Sequence, residues 1–96
     1  MENSSLSTLR LIVYGHAYCG LAAWLQRTLD ENGIDYEWRD VRTGEARFKD
    51  ELKALARGYL SVPTVIFPDG TVMVEPRPEM VLKKLDADKV ERKDRT

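Results

Sequence analysis

A single cysteine, Cys19, stands in a chain of 96 residues, and that count restricts the fold more than any other feature. One thiol closes no internal disulfide and cannot by itself complete a structural zinc site, so disulfide-stapled and zinc-stapled scaffolds are excluded. The chain has to be held by an ordinary hydrophobic core. A length of 96 residues supports one such core, burying roughly 60–70% of the unfolded surface, and not two. The 43% apolar and 32% charged fractions suit a globular chain. Fifteen basic against sixteen acidic side chains leave a formal charge of −1, which gives no footprint for gripping phosphate backbones, so no nucleic-acid partner is expected. The polar start and the short apolar run before Gly15 fall short of a signal sequence or a membrane span. The expected setting is the reducing cytoplasm, with no membrane contact and with Cys19 free.

Composition shifts only at the ends. Residues 1–8 read as a loose lead-in, 9–85 as one domain, and 86–96 as a charged tail or frayed helix end. Within the domain, Leu9 to Tyr14 is a β-branched and aromatic run stopped by Gly15, the pattern of a buried strand. Leu21, Leu25 and Leu29 then recur every fourth residue, predicting a helix that opens near Cys19 or Gly20 and stops at Asn32-Gly33. Ile34 to Val41 alternates loosely as a second strand. Phe48, Leu52, Leu55 and Tyr59 mark a second helix from Glu45 to Arg57, ended by Gly58. Val62–Phe67, Pro68-Asp69-Gly70 and Thr71–Val74 read as strand, tight turn, strand, because Asp-Gly between apolar runs signals a hairpin. A short helix over Glu79 to Leu85 closes the domain, with a proline in its first turn. The order βαβ, α, ββ, α predicts an α/β fold with one mixed four-stranded sheet flanked by helices.

Few residues are placed to carry chemistry. Cys19 falls where the first strand has ended and a helix begins, beside unpaired backbone N–H groups and the positive helix end, a place that favours the thiolate. The alternative is a small buried hydrophobe, the commoner fate of a lone cysteine. His16, three residues earlier, either supports that thiolate or meets substrate, or is an exposed loop histidine. Two such ligands make no metal site unless carboxylates or a second subunit join them. Pro63 removes a ladder donor where the third strand opens, which fits either a cis bond that leaves the Val62 backbone open to a ligand or an edge-strand trans proline. Trp24, Trp38, Phe48 and Tyr59 fall on apolar stripes and are expected in or partly in the core. Arg39, Arg42, Arg47 and Arg57 are available for a substrate carboxylate, although scattered surface arginine is the commoner outcome.

Taken in order, Tyr14-Gly15-His16-Ala17-Tyr18-Cys19-Gly20, Val62-Pro63-Thr64-Val65 and the Asp69-Gly70 turn resemble the glutaredoxin family of the thioredoxin fold, and within it the mycoredoxin-like branch. The resemblance spans about Leu9 to Leu85. It implies a thioredoxin-like fold, Cys19 as the nucleophile toward mixed disulfides between proteins and a low-molecular-weight thiol, and a cis bond at Pro63. It places the thiol against Tyr14, His16, Tyr18, Gly20, Val62, Pro63 and Thr64, with the Val62 backbone as a strand-like partner. The implied partners are thiolated or disulfide-containing proteins and the small thiol, and the implied working form is a monomer.

The chain departs from the family pattern in three places. The second cysteine of the family's C-x-x-C falls at Ala22, so Cys19-Gly20-Leu21-Ala22 is a monothiol site that a small thiol must resolve. An engineered cysteine-to-alanine replacement would give the same sequence. The paired glycines and aspartate of glutathione-using members are replaced by Met73-Val74-Glu75-Pro76-Arg77-Pro78. This favours mycothiol as cosubstrate over glutathione, with bacillithiol or coenzyme A behind. Tyr59-Leu60-Ser61 stands where mycoredoxin-like members carry an arginine, leaving Arg57 as the nearby cation. Two other readings resemble the family's margins. One is a carrier in which Cys19 of two chains and two thiols hold a [2Fe–2S] cluster, as in C-G-F-S members, whose upstream lysine and tryptophan-proline this chain lacks. The other is a redox-silent module that binds a protein through the groove between Cys19 and Pro63.

Overall fold

The computed structural model describes residues 10–88. It contains β1 (Leu11–Gly15), α1 (Gly20–Glu31), β2 (Tyr36–Asp40), α2 (Arg47–Leu55), β3 (Thr64–Ile66), β4 (Val72–Val74) and α3 (Pro78–Ala87). The sheet runs in the order β2-β1-β3-β4. β1 and β2 are parallel, with Leu11 opposite Tyr36 and Gly15 opposite Asp40, while β3 runs antiparallel to β1 and to β4. This is the mixed α/β sheet that the order of elements predicts, and its topology is that of the thioredoxin fold.

β1 is buried on both faces, and its alternation divides the core. Leu11 and Val13 pack with Leu25, Leu29, Ile34, Val65, Phe67, Val81 and Leu85 under α1 and α3. Ile12 and Tyr14 point the other way and pack with Val41, Phe48, Leu52, Ala56 and Ile66 under α2. Gly15 ends β1 from within the strand. A Cβ there would lie 2.6 Å from Trp38 Cη2 and 3.2 Å from the Ala22 Cβ, so only a glycine lets the β2 indole and α1 close over the strand end.

Several boundaries are tighter than the sequence predicts, each for a local reason. The second strand begins at Tyr36, because Ile34 is consumed in closing α1. The Ile34 N–H reaches the Leu29 carbonyl at 3.0 Å and the Gly33 N–H reaches Asp30 at 3.2 Å, with Gly33 at φ 68, a Schellman ending in which Leu29 and Ile34 meet in the core. α2 covers Arg47–Leu55 rather than Glu45–Arg57. Arg57 itself turns left-handed at φ 58, and the Gly58 N–H returns to the Lys53 carbonyl at 2.7 Å. The third strand loses its predicted first residues to the bend at Val62-Pro63 and Phe67 to the hairpin turn. In that turn the Phe67 N–H bonds Thr71 and the Thr71 N–H bonds Asp69 Oδ1.

α3 begins at Pro78 and runs past the predicted Leu85 to Ala87. Lys84 extends it by bonding Asp88 Oδ2 one turn on, at 2.8 Å, and Asp69 Oδ2 on the hairpin tip, at 3.1 Å. The lead-in expected over residues 1–8 and the tail beyond Asp88 lie outside the described residues. Among those described, no helix is long and apolar enough to cross a membrane.

Candidate active site

Because β1 and β2 are parallel and β3 is antiparallel to β1, the C-terminal ends of β1 and β2 and the N-terminal end of β3 share one edge of the sheet. That edge carries the β1–α1 loop with His16, Tyr18 and Cys19, the β2–α2 loop with Arg42, and the segment Val62-Pro63. Cys19 is the N-cap of α1, in an extended conformation, with its sulfur accepting the Ala22 N–H at 3.4 Å. The cap is natural to the place: a helix leaves its first N–H groups without partners, and a side-chain acceptor at this position reaches the third of them. Sulfur is a weak acceptor when neutral, and the same N–H and helix end stay aimed at it when it carries negative charge.

Across the groove, the thiol donates to the Val62 carbonyl at 3.6 Å. The Val62–Pro63 peptide bond is cis, the rarer of the two forms open to the sequence. Pro63 is buried, Thr64 is fully buried and gives its hydroxyl to the Ser61 carbonyl at 2.8 Å, and the Pro63 carbonyl accepts the Glu75 N–H at 2.7 Å. Among the described residues, the Val62 N–H donates to no backbone acceptor. Cys19, half-buried, therefore faces a backbone segment with an open edge.

The other residues singled out from sequence divide between this groove and the interior. His16 bends back on its own loop: its Nδ1 accepts the Tyr18 N–H at 3.2 Å, and its carbonyl accepts the Cys19 N–H at 3.3 Å. This sets the loop that presents the sulfur. Tyr18 is 80% exposed and lies under the Arg42 guanidinium, 5.0 Å from ring centre to Cζ. Gly20 opens α1, and a Cβ there would meet nothing. Tyr14 is not brought to the groove. It is buried beneath α2, gives its hydroxyl to Glu51 Oε1 at 2.8 Å and accepts from Arg39 Nη1 at 2.9 Å. Burial and the Glu51 contact push its phenol above the ordinary value.

Two expectations about aromatic residues are corrected. Tyr59 is 71% exposed and Trp24 is also exposed, because α2 stops before Tyr59 and the buried stripe of α1 is Ala22, Leu25 and Leu29. Phe48 is buried and Trp38 half-buried, as the stripes predict.

Sequence reading also passed over the polar cluster on the α2 side. Arg39 spans Glu37 at 2.6 Å and Glu51 at 2.9 Å, and Arg47 joins Glu51 at 2.6 Å. Burial alone would raise the Glu51 carboxyl, but the Tyr14 hydroxyl and the two arginines outweigh it and hold the group below its ordinary value. Asp40 was passed over too. Its Oδ1 accepts the N–H groups of Arg42 and Thr43, each at 2.8 Å. The signal for it was the Asp, followed by Thr43-Gly44, at the end of a strand, a turn-forming pattern.

The fold is shared with proteins of known class. The sequence matches the Glutaredoxin family over residues 11–73. Provisionally named glutaredoxins of two Mycobacterium tuberculosis strains, H37Rv and CDC 1551, are 31% identical over 78 residues, which cover 81% of this chain and 92% of theirs. The crystal structure of the glutaredoxin grx-1 of Archaeoglobus fulgidus has a TM-score of 0.66 at 19% identity, over 86% of this chain and 94% of that one. A mutant of the thioredoxin-like protein BC3987 has a TM-score of 0.68 at 28% identity, over 79% and 99% of the two chains. A thioredoxin-like sheet with a cysteine capping α1 opposite a cis-proline thus defines the class, and the chain belongs to the glutaredoxin family. Members of that family are in general thiol-disulfide oxidoreductases that work with a thiol cosubstrate.

Proposed function

We propose that this chain is a monothiol oxidoreductase that removes a small thiol from thiolated proteins. The Cys19 thiolate attacks the small thiol's sulfur in the mixed disulfide; a Cys19–thiol disulfide forms, and the protein sulfur leaves as thiolate and takes a proton from water. A second small-thiol molecule, as thiolate, attacks that disulfide and leaves as the oxidised dimer, while Cys19 returns as thiolate. Electrons balance: one protein mixed disulfide is reduced as two small thiols become one disulfide. All the groups used come from one chain, in keeping with a monomer.

The observation that carries this reading is the pairing of Cys19 Sγ with the Val62 carbonyl across a groove whose cis-proline segment leaves the Val62 N–H without a backbone partner. An extended thiol laid along Val62 gains strand-like hydrogen bonds and brings its sulfur to Cys19. With alanine at position 22, the small thiol is the only resolving sulfur available. For that thiol we favour mycothiol over glutathione. The segment from Met73 to Pro78 offers buried Pro76 and Pro78 and a left-handed Glu75 where glutathione-using members carry paired glycines and an aspartate.

Turnover of a protein thiolated with mycothiol, and separately with glutathione, tests the reading. Wild type and Ala22→Cys are expected to turn over and Cys19→Ser to be inactive; activity surviving in Cys19→Ser would sink it.

A further inference from the structure

Four arginines were available from sequence for a substrate carboxylate, and the structure distinguishes among them. Arg39 and Arg47 are taken by Glu37, Glu45 and Glu51. Arg57 stands just past α2, in the segment that leads to Val62-Pro63. Arg42 makes no ion pair among the described residues, and its guanidinium lies over the Tyr18 ring, one residue before Cys19.

Its position is built rather than incidental. Asp40, paired with Gly15 at the end of the β1–β2 ladder, accepts the Arg42 and Thr43 N–H groups on Oδ1 and the Gly44 N–H on its carbonyl at 3.0 Å. Buried Val41 donates to the Gly15 carbonyl at 2.9 Å. A Cβ on Gly44 would collide with the Asp40 carbonyl and with Phe48, so the turn closes only around a glycine. A guanidinium over an aromatic face keeps its charge and its forked N–H donors, which match a carboxylate.

The sheet order fixes which half of a disulfide meets this cation. Along the shared edge the sequence of strands is β2, β1, β3, so Arg42 and Val62 lie on opposite flanks of Cys19. A mixed disulfide has two halves. With the small thiol along Val62, the protein half falls on the Arg42 side.

We propose that Arg42, seated on Tyr18, is a specificity-determining residue that selects acidic protein segments: mixed disulfides whose thiolated cysteine has an Asp or Glu beside it. This rests on the oxidoreductase reading above. An exposed ion pair is worth up to about fivefold in rate or affinity, and it weakens as salt shortens the screening length.

The test compares two peptides that carry the same small thiol on cysteine, one flanked by glutamates and one by lysines. Wild type is expected to prefer the glutamate peptide by about two- to fivefold in kcat/KM at low salt, less at high salt, with the preference lost in Arg42→Gln and partly kept in Arg42→Lys. Alkylation of Cys19 supplies a readout without turnover. The ratio of rates with iodoacetate and iodoacetamide is expected to fall in Arg42→Gln. Peptides turned over with no charge preference, or a preference that survives Arg42→Gln, would overturn the proposal while leaving the oxidoreductase reading intact. An alkylation ratio that depends on Arg42 with no mixed disulfide reduced would instead overturn the oxidoreductase reading and leave charge selection at Cys19 standing.

Discussion

Tyr14 and Cys19 stand five residues apart on one strand and loop, yet the structure sends them to opposite duties. The tyrosine is one of the residues that the family resemblance placed beside the thiol, and its hydroxyl is held instead between Glu51 and Arg39. Strand alternation decides this: with Leu11 and Val13 facing α1 and α3, Tyr14 must face α2. A hydroxyl that both donates and accepts in a half-buried cluster contributes to stability, so Tyr14→Phe is expected to cost about 1–2 kcal/mol, read as a lower urea midpoint. An unchanged midpoint would show that the cluster is solvated enough to replace the hydroxyl with water. Arg57 offers the opposite case. A side chain at φ 58 costs about 1 kcal/mol relative to glycine, and this exposed arginine makes no ion pair among the described residues, so Arg57→Gly is expected to raise stability by about 0.5–1 kcal/mol. A loss of stability in that variant would mean that the arginine contributes contacts outweighing its backbone strain.

Among the elements, α2 depends most on charge. Its buried stripe is Phe48 and Leu52, with half-buried Leu55 packed beside them, and Glu51 ties it to Arg39 on β2 and Tyr14 on β1. The Glu51 carboxyl has an ordinary value of 4.5 and is lowered in the fold. Its contribution is therefore fully present above the unfolded value and is lost as pH falls through the lower folded one. The urea midpoint of wild type should exceed that of Glu51→Gln near about pH 7, and the gap should close toward about pH 3. A gap independent of pH would place the effect in packing rather than in the carboxylate charge.

The elements also show what a sequence reveals. The Asp69-Gly70 turn, the glycine ending of α1 and the proline opening of α3 were legible because each depends on a backbone conformation that few residues supply. The ends of β2 and β3 were not. Ile34 and Phe67 fit a strand pattern by side chain, but their N–H groups serve a helix cap and a turn, which apolar periodicity does not record. α3 ran long as Lys84 pairs with Asp88 one turn on, a polar contact that apolar periodicity does not record.

On the scale of the whole molecule, the sequence disclosed the fold through the order of its elements, and the groove through two short segments, Tyr14 to Gly20 and Val62 to Val65. What it could not disclose was the Arg39–Glu51–Tyr14 cluster and the Arg42–Tyr18 contact, because each joins residues from different strands and loops. Both follow from the parallel pairing of β1 and β2, which brings residue 39 beside residue 14 and residue 40 beside residue 15. That pairing, with β3 antiparallel to β1, gives the sheet one edge on which the sulfur, the open Val62 backbone and an exposed cation stand together. If Cys19 takes the small-thiol half of a mixed disulfide and releases the protein half, intact mass after a single turnover, with no free small thiol present to resolve the intermediate, will show it. The expected products are this chain plus one small thiol, on Cys19, and a substrate protein returned with a free cysteine; a chain joined to the substrate protein, or left unmodified, would refute that order of attack.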